Sequence, residues 1–314
     1  GLLLGVAVWT RPDGITLLAP VLWVWFLDHR ADRPLKSLAA LLLPVTVFTG
    51  LYLYLNNHLS GGLLPNTFSA KQQEYLALLS QPFPGRTWNM LKTILAGPGI
   101  LWLPGFLAGM VLSIQRRKIS ALAPYLWVAG YIFMYAVRLP VRYQHARYLM
   151  PVLAVFMLFS VQPLIDLSRR IKAGNTQFIV SRVYAVTLIL VTLLFLAIGA
   201  GAYARDTAII EQEMVDTAVW IDANTPADTL IAAHDIGALG YFGNRRILDL
   251  AGLVTPQVIP FIRDSEQLSS YIREQDADYL VIFPNWYTPP LSVNGKVVYP
   301  SGEIGNHMQV IKLE

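Results

Sequence analysis

Three arginines fall within ten residues, at Arg138, Arg142 and Arg147, and Tyr148 follows at once. A guanidinium is planar and can give two parallel N–H bonds to a phosphate or carboxylate. The cluster therefore reads as an anion site. Two readings stay open: a bound phosphate, or attraction to anionic lipid headgroups with Tyr143 and Tyr148 as interfacial aromatics. The phosphate reading is the stronger, because apolar runs on both sides would hold the segment rigidly. A fourth arginine, Arg11, stands in Thr10-Arg11-Pro12-Asp13-Gly14. Turn chemistry accounts for Pro12, Asp13 and Gly14, but not for a guanidinium there. A third segment runs from Gly61 and Gly62 through Pro65 and Asn66 to Lys71. Either Lys71 snorkels towards headgroups, or the segment is a lid that presents Asn66 and Lys71 to a polar ligand.

Familiar catalytic signals are absent. There is no Walker A loop, no G-x-G-x-x-G, no H-E-x-x-H and no G-x-S-x-G, and the chain has no cysteine. His234 beside Asp235 reads as a capped turn rather than a metal pair, since no further ligand cluster accompanies it. The sequence thus calls for no cofactor, and a divalent metal has no support in it.

The elements that must position these residues are apolar. The chain is 54% hydrophobic and 14% charged, with a mean hydropathy of +0.46, against about 25% charged in soluble domains. That excludes a disordered chain and a disulfide scaffold. Apolar runs occur at 15–27, 35–55, 94–114, 119–137, 148–167 and 183–203. A span needs about 20 residues to cross about 30 Å of hydrocarbon; all but 15–27 meet that. The chain opens at Gly1 inside an apolar run, so residues 1–8 read as a truncated span and the chain as the C-terminal piece of a longer protein. Between the spans, loops 28–36, 115–118 and 168–182 are densely basic, with 10 Lys and Arg in 28 residues. Loops 10–13, 56–92 and 138–147 hold 7 in 51. Basic density marks the cytoplasmic side, so the second set and everything after 203 are expected outside. Asp13 is then the one acid in the short outer loops, suited to orient Arg11 or an acceptor rather than to act as a base. The aromatic and apolar residues of 56–92, Phe68, Tyr75, Phe83 and Trp88 among them, predict an amphipathic interfacial helix.

Charge divides the chain. Residues 1–203 carry a net +12 and residues 204–314 a net −8. Because the basic residues sit in short loops between apolar runs, the pI near 9.2 reflects membrane orientation rather than nucleic-acid binding. The acidic tail predicts a small α/β domain. A helix over 209–221 continues from the last span, strands fall at 229–233, 246–250, 279–283, 296–299 and 308–312, and a helix covers 265–275. That alternation favours a parallel or mixed sheet. The expected architecture is a multi-span α-helical membrane bundle over 1–203, followed by a small extracytoplasmic α/β domain over 204–314.

Several short motifs now stand in order. They are Arg11-Pro12-Asp13-Gly14, Leu64-Pro65-Asn66-Thr67 with Ala70-Lys71, and Arg147-Tyr148-Leu149 ahead of Pro151. In the tail come Asp235-Ile236-Gly237-Ala238-Leu239-Gly240-Tyr241-Phe242 and Leu248-Asp249-Leu250-Ala251-Gly252-Leu253. Together they resemble the GT-C-type glycosyltransferases, which use polyprenyl-phosphate sugars, and most closely the mycobacterial arabinofuranosyltransferase-like and bacterial protein mannosyltransferase-like members. The resemblance spans nearly the whole chain. It implies an integral enzyme of the bacterial cytoplasmic membrane that moves a sugar from a polyprenyl-phosphate donor to a cell-envelope glycan, lipid or protein acceptor. It also implies a catalytic base in a first outer loop, which would lie before Gly1, so that this chain alone would be inactive. Under that reading Arg142 and Arg147, with Arg11 or Lys71, would contact the donor phosphate. Asn66, Asp13, Tyr148 and Arg138 would contact sugar or acceptor. A lipid-sugar transporter would instead need charges along a path inside the spans, and those are nearly absent. A membrane-anchored binding protein would leave the arginine loop without a role.

Overall fold

The computed structural model describes residues 1–28, 35–171, 174–300 and 308–314, with side chains left aside at Asp28, Tyr143 and Gln144. Parts of the basic loops expected at 28–36 and 168–182 lie outside the described residues. The chain is mostly helical and divides into two compact units, one of residues 1–63 and 75–196, the other of residues 64–74 and 197–314.

The first unit is a bundle. Its helices are α1 (Leu2–Thr10), α2 (Leu18–Asp28), α3 (Leu35–Ser60), and, after α4 (Asn66–Glu74) of the other unit, α5 (Phe83–Ile94), α6 (Gly99–Gln115) and α7 (Ala123–Arg138). The short α8 (Tyr143–Ala146), α9 (Met150–Arg169) and α10 (Asn175–Ile209) complete the set. Among the described residues, four helical stretches are long and apolar enough to cross a membrane: 35–60, 119–138, 147–169 and 175–224. The expected span 94–114 divides differently: α5 and α6 meet at 107°, where Gly97 takes φ +56° and Pro98 precedes α6. Pro12–Leu27 is a shorter apolar helix, as its run length implied. Part of the expected interfacial helix is α5, which buries Met90 and Ile94 and exposes Trp88.

The bundle is packed inside and apolar outside. Phe106, Tyr125, Val128, Ile132 and Phe156 form its core. α6 crosses α9 closely because Gly105 has no side chain: a Cβ there would lie 2.3 Å from the Ser160 carbonyl oxygen. Yet α10 buries nothing, and Leu190, Leu193 and Ile198 are more than half exposed.

The second unit is α/β. After α11 (Asp216–Asn224) come β1 (Leu230–Ala233), α12 (Gly237–Phe242), β2 (Arg246–Asp249), α13 (Ser265–Glu274), β3 (Tyr279–Ile282), β4 (Gly295–Pro300) and β5 (Gln309–Leu313). The sheet order is β2-β1-β3-β5-β4, and the sheet is mixed as expected. β1 runs parallel to β2 and β3, while β5 is antiparallel to β3 and β4. Side chains alternate with period two. Ile231, Ala233, Tyr279 and Val281 pack with Ala218 and Ile221 of α11. Ala232, Leu280 and Ile282 pack on the other face with Leu268 and Ile272 of α13. The α12 turn falls where the sequence suggested only a loop. Between α10 and α11 the helix passes through a π turn, Ile210–Val215, in which Glu213 is fully buried and accepts from the Met308 N–H at 2.8 Å. α4 belongs to this unit. Asn66 gives an amide N–H to the Leu253 carbonyl at 3.4 Å, and Arg263 gives its Nε–H to the Glu74 carbonyl at 2.8 Å.

Candidate functional site

The polar centre of the bundle is Asp13. It lies in the 3-10 turn Pro12–Leu17 between α1 and α2, with Pro12 at the first helical position. Gly14 is required there by close approach: a Cβ would lie 2.5 Å from the Ala7 carbonyl oxygen. The Asp13 carboxylate accepts from Arg11 Nε at 3.1 Å and Arg11 Nη2 at 2.9 Å, a two-pronged ion pair. It also accepts from the hydroxyl of Tyr135 at 2.7 Å and from that of Tyr131. Behind it the Asp13 carbonyl takes the Thr16 hydroxyl at 2.7 Å, and Thr16 in turn accepts the Trp127 indole N–H at 3.1 Å. Burial opposes ionisation of Asp13. The hydrogen bonds from Tyr131, Arg11 and Tyr135 and the Arg11 charge outweigh it and hold the carboxyl below the ordinary range.

Arg11 reaches on. Its Nη1 donates to the Arg147 carbonyl at 3.1 Å, and its guanidinium carbon lies 5.9 Å from the centre of the Tyr148 ring. The Arg147 guanidinium lies 5.3 Å from the same ring, with Nη2 at 3.4 Å from the Tyr148 hydroxyl. Two cations thus share one aromatic ring, with one carboxylate beside them. Cation contacts of this kind are favourable singly, but like charges repel. An anion bound beside both would relieve that repulsion. The ring itself is supported by Tyr135 at 5.6 Å, and Tyr135 by Tyr131 at 5.0 Å. Just before Arg147 the backbone of His145 and Ala146 is left-handed, at φ +55° and +54°. Neither is glycine, so each costs about 1 kcal/mol. Strain of this sort gathers where a turn must aim a side chain.

An apolar groove of about 330 Å³ adjoins this cluster through Thr16 and Tyr131, which both bond Asp13. Thr16, Pro20 and Trp23 line one wall, and Trp127, Gly130 and Tyr131 the other. Gly130 faces open space, with nothing within 4 Å of a Cβ built there.

The structure therefore brings Arg11, Asp13, Arg147 and Tyr148 together. Arg138 and Arg142 are exposed at the same connection between α7 and α9. Asn66 and Lys71 belong to the other unit. There Lys71 pairs with Glu74 at 2.6 Å, and Glu74 also faces Arg263 at 3.8 Å. Tyr131 and Tyr135 were missed in the sequence. Their signal was the four-residue spacing of Trp127, Tyr131 and Tyr135, which sets three polar-tipped aromatics on one helix face.

In the second unit, His234 directly follows β1 and shares a hydrogen bond of 2.8 Å with the Tyr287 hydroxyl, with Trp286 edge-on at 4.9 Å. Asp235 caps its turn as expected, accepting from the Gly237 N–H at 3.4 Å. Among the described residues no group of three or more His, Asp or Glu side chains is placed to hold a metal ion.

A family described as a domain of unknown function (DUF8728) matches residues 201–312. No curated protein matches the chain.

Proposed function

We propose that this chain is part of an integral membrane glycosyltransferase of GT-C type. It would take a sugar from a polyprenyl-phosphate donor and pass it to a cell-envelope acceptor outside a bacterial cytoplasmic membrane. The observation that carries the reading is the pair of guanidiniums, Arg11 and Arg147, on the one ring of Tyr148, next to an apolar groove lined by Thr16 and Tyr131, which both bond Asp13. A polyprenyl phosphate has the matching halves, an anionic head and a long apolar tail. The largely exposed apolar surface of α10, none of whose residues is buried, supports insertion in lipid, where such a surface is at home.

The chemistry follows from those halves. An acceptor hydroxyl attacks the anomeric carbon of the sugar, the bond from that carbon to the phosphate oxygen breaks, and the phosphate leaves with the electron pair and takes up the proton the hydroxyl loses. Negative charge grows on the leaving phosphate, where fixed cations are worth most. Arg147 and Arg11 supply them, and Arg142 lies close by in sequence. Asp13 already accepts from three side chains, so it acts as a positioning residue for Arg11. In this reading loops 10–13 and 138–147 face outwards.

The test is Arg147→Ala in the protein as the cell makes it, assayed in membranes with polyprenyl-phosphate sugars. Transfer is expected to fall at least about a hundredfold, while membrane insertion is retained. Unchanged transfer from every donor in the panel overturns the assignment.

A further inference from the structure

A second cavity, of about 480 Å³, lies at the other end of α7 and α9. Arg116 and Lys118 line it from the loop after α6, and Gln162 and Asp166 from α9. Leu158 and Phe159 supply apolar wall. Two features build it. Gly109 lets three helices close its floor: a Cβ there would lie 2.1 Å from the Tyr125 hydroxyl and 2.7 Å from Pro163. The loop is a tight helix stop, with the Lys118 N–H on the Ser113 carbonyl at 3.0 Å and the Arg117 N–H on the Ile114 carbonyl at 3.0 Å. Glycine usually holds the left-handed position of such a stop. Here Arg117 holds it at φ +54°, at a cost of about 1 kcal/mol, and the turn sets Arg116 and Lys118 on the cavity.

The charges define the occupant. Among the described residues lining it, two cations face one carboxylate, and the Gln162 amide N–H donates to the Asp166 carboxylate at 3.0 Å. The cavity is left one positive charge in excess, and it holds an acceptor beside the cations. One phosphodiester with a hydroxyl donor close by satisfies both. The walls say what carries that headgroup. Leu158 is 69% and Phe159 40% exposed, a surface of no use to free phosphate but suited to an acyl chain. Asp166 is 18 residues along from Tyr148, about 27 Å at the helical rise, close to the hydrocarbon thickness of about 30 Å.

From this we propose that the cavity at Arg116, Lys118 and Asp166 is a binding site for an anionic phospholipid with a hydroxylated headgroup, of the phosphatidylglycerol kind, in the leaflet opposite the Arg11–Arg147 cluster. The phosphate sits on Arg116 and Lys118, a headgroup hydroxyl donates to Asp166, and an acyl chain lies along Leu158 and Phe159. The inference depends on membrane insertion and not on sugar transfer.

The full chain, reconstituted in equimolar phosphatidylglycerol and phosphatidylcholine vesicles and extracted, is weighed by native mass spectrometry. The wild type should retain phosphatidylglycerol over phosphatidylcholine by about thirtyfold, the scale expected of two basic contacts. Arg116→Gln with Lys118→Gln should bring that ratio to parity. So should Leu158→Trp, which fills the apolar wall without altering charge. Arg169→Gln with Arg170→Gln, exposed cations beyond the cavity, should leave it unchanged. With phosphatidic acid as competitor, Asp166→Asn should erase the preference for the hydroxylated headgroup. Equal retention of both lipids by the wild type, or equal loss in the Arg169 and Arg170 variant, overturns the proposal. So does displacement of the lipid by millimolar inorganic phosphate, which would make this a free-anion site.

Discussion

In the bundle, the Asp13 carboxylate draws two hydroxyl donors from residues 118 and 122 positions away. In the C-terminal unit, Asp249 takes its donors from the backbone of Ala251 and Val254, two and five positions on, and Asp264 from the backbone of Glu266 and Gln267. The two patterns do different work. A carboxylate that caps its own turn stabilises local backbone, and its role ends with the fold. A carboxylate that ties an arginine to two distant tyrosines in an apolar bundle fixes the position of a cation. Removing charge from water is costly, and local structure does not require it here. The site therefore belongs where the donors come from far along the chain.

The hardest blow to that contrast falls on Asp13. Asp13→Asn keeps the shape but loses the charge, so Arg11 is no longer anchored. Transfer should fall at least about a hundredfold, and the bundle should lose about 1–2 kcal/mol, between the scales of an exposed and a buried pair. Activity in membranes and thermal unfolding in nanodiscs read the two effects. Asp249→Ala should behave otherwise. It loses two short bonds to a charged group, at 2.8 and 2.7 Å, worth about 2 kcal/mol together, and hydrogen exchange should quicken at residues 250–254. The donor KM should stay as it is. A raised donor KM in the Asp249 variant, or an Asp13 variant with normal transfer, would erase the distinction between the two carboxylates.

A smaller effect probes the groove. Gly130→Phe enters open space, so folding should tolerate it, yet the ring would occupy the groove that Trp127 and Tyr131 line. The donor KM should rise about tenfold, which is about 1.4 kcal/mol of binding, and kcat should change little. If long and short prenyl donors were equally unaffected, the groove would not hold the tail, and the bundle cluster would lose half of its argument.

How far the sequence made this visible also differs between the units. The sheet was legible strand by strand, because short apolar runs between turn residues have few other folds open to them; each expected strand lies within two residues of an observed one. Arg11 stood out because turn chemistry left it unexplained, and its nearness to Arg147 was a matter of inference from loop order. What could not be read was the placing of Asn66 and Lys71. Nothing in residues 56–92 says that the segment 64–74 packs with the C-terminal unit, since Asn66 finds its partner 187 positions away. The bend between α5 and α6 was hidden too, because apolar composition alone does not tell a straight span from a broken one. The close helix crossing at Gly105 and Gly109, four apart, was not read in the sequence either.

The mildest prediction concerns pH, and it separates the units once more. His234 is mostly buried, and burial lowers its pKa; Lys71 acts in the same direction, while Glu74, Asp235 and Asp249 oppose it and do not prevail. The unfolded chain then binds a proton on His234 before the folded unit does. Stability should be complete above the unfolded value of about 6.5 and should decline as pH falls below it, by at most about 1.4 kcal/mol per pH unit for one proton. Asp13 behaves in the opposite part of the range. Its carboxyl is held low, so the stability it contributes is intact above about pH 4 and fails only as pH falls through its lowered value. Hydrogen exchange corrected for intrinsic rates, followed from pH 7.5 to about pH 5, should therefore quicken in β1 and β3 while the α7 amides around Tyr131 stay protected. His234→Gln should flatten the first response. Were both units to loosen together over that range, the two would share one cooperative transition, and the separation between local and long-range carboxylates would not describe how this chain is held.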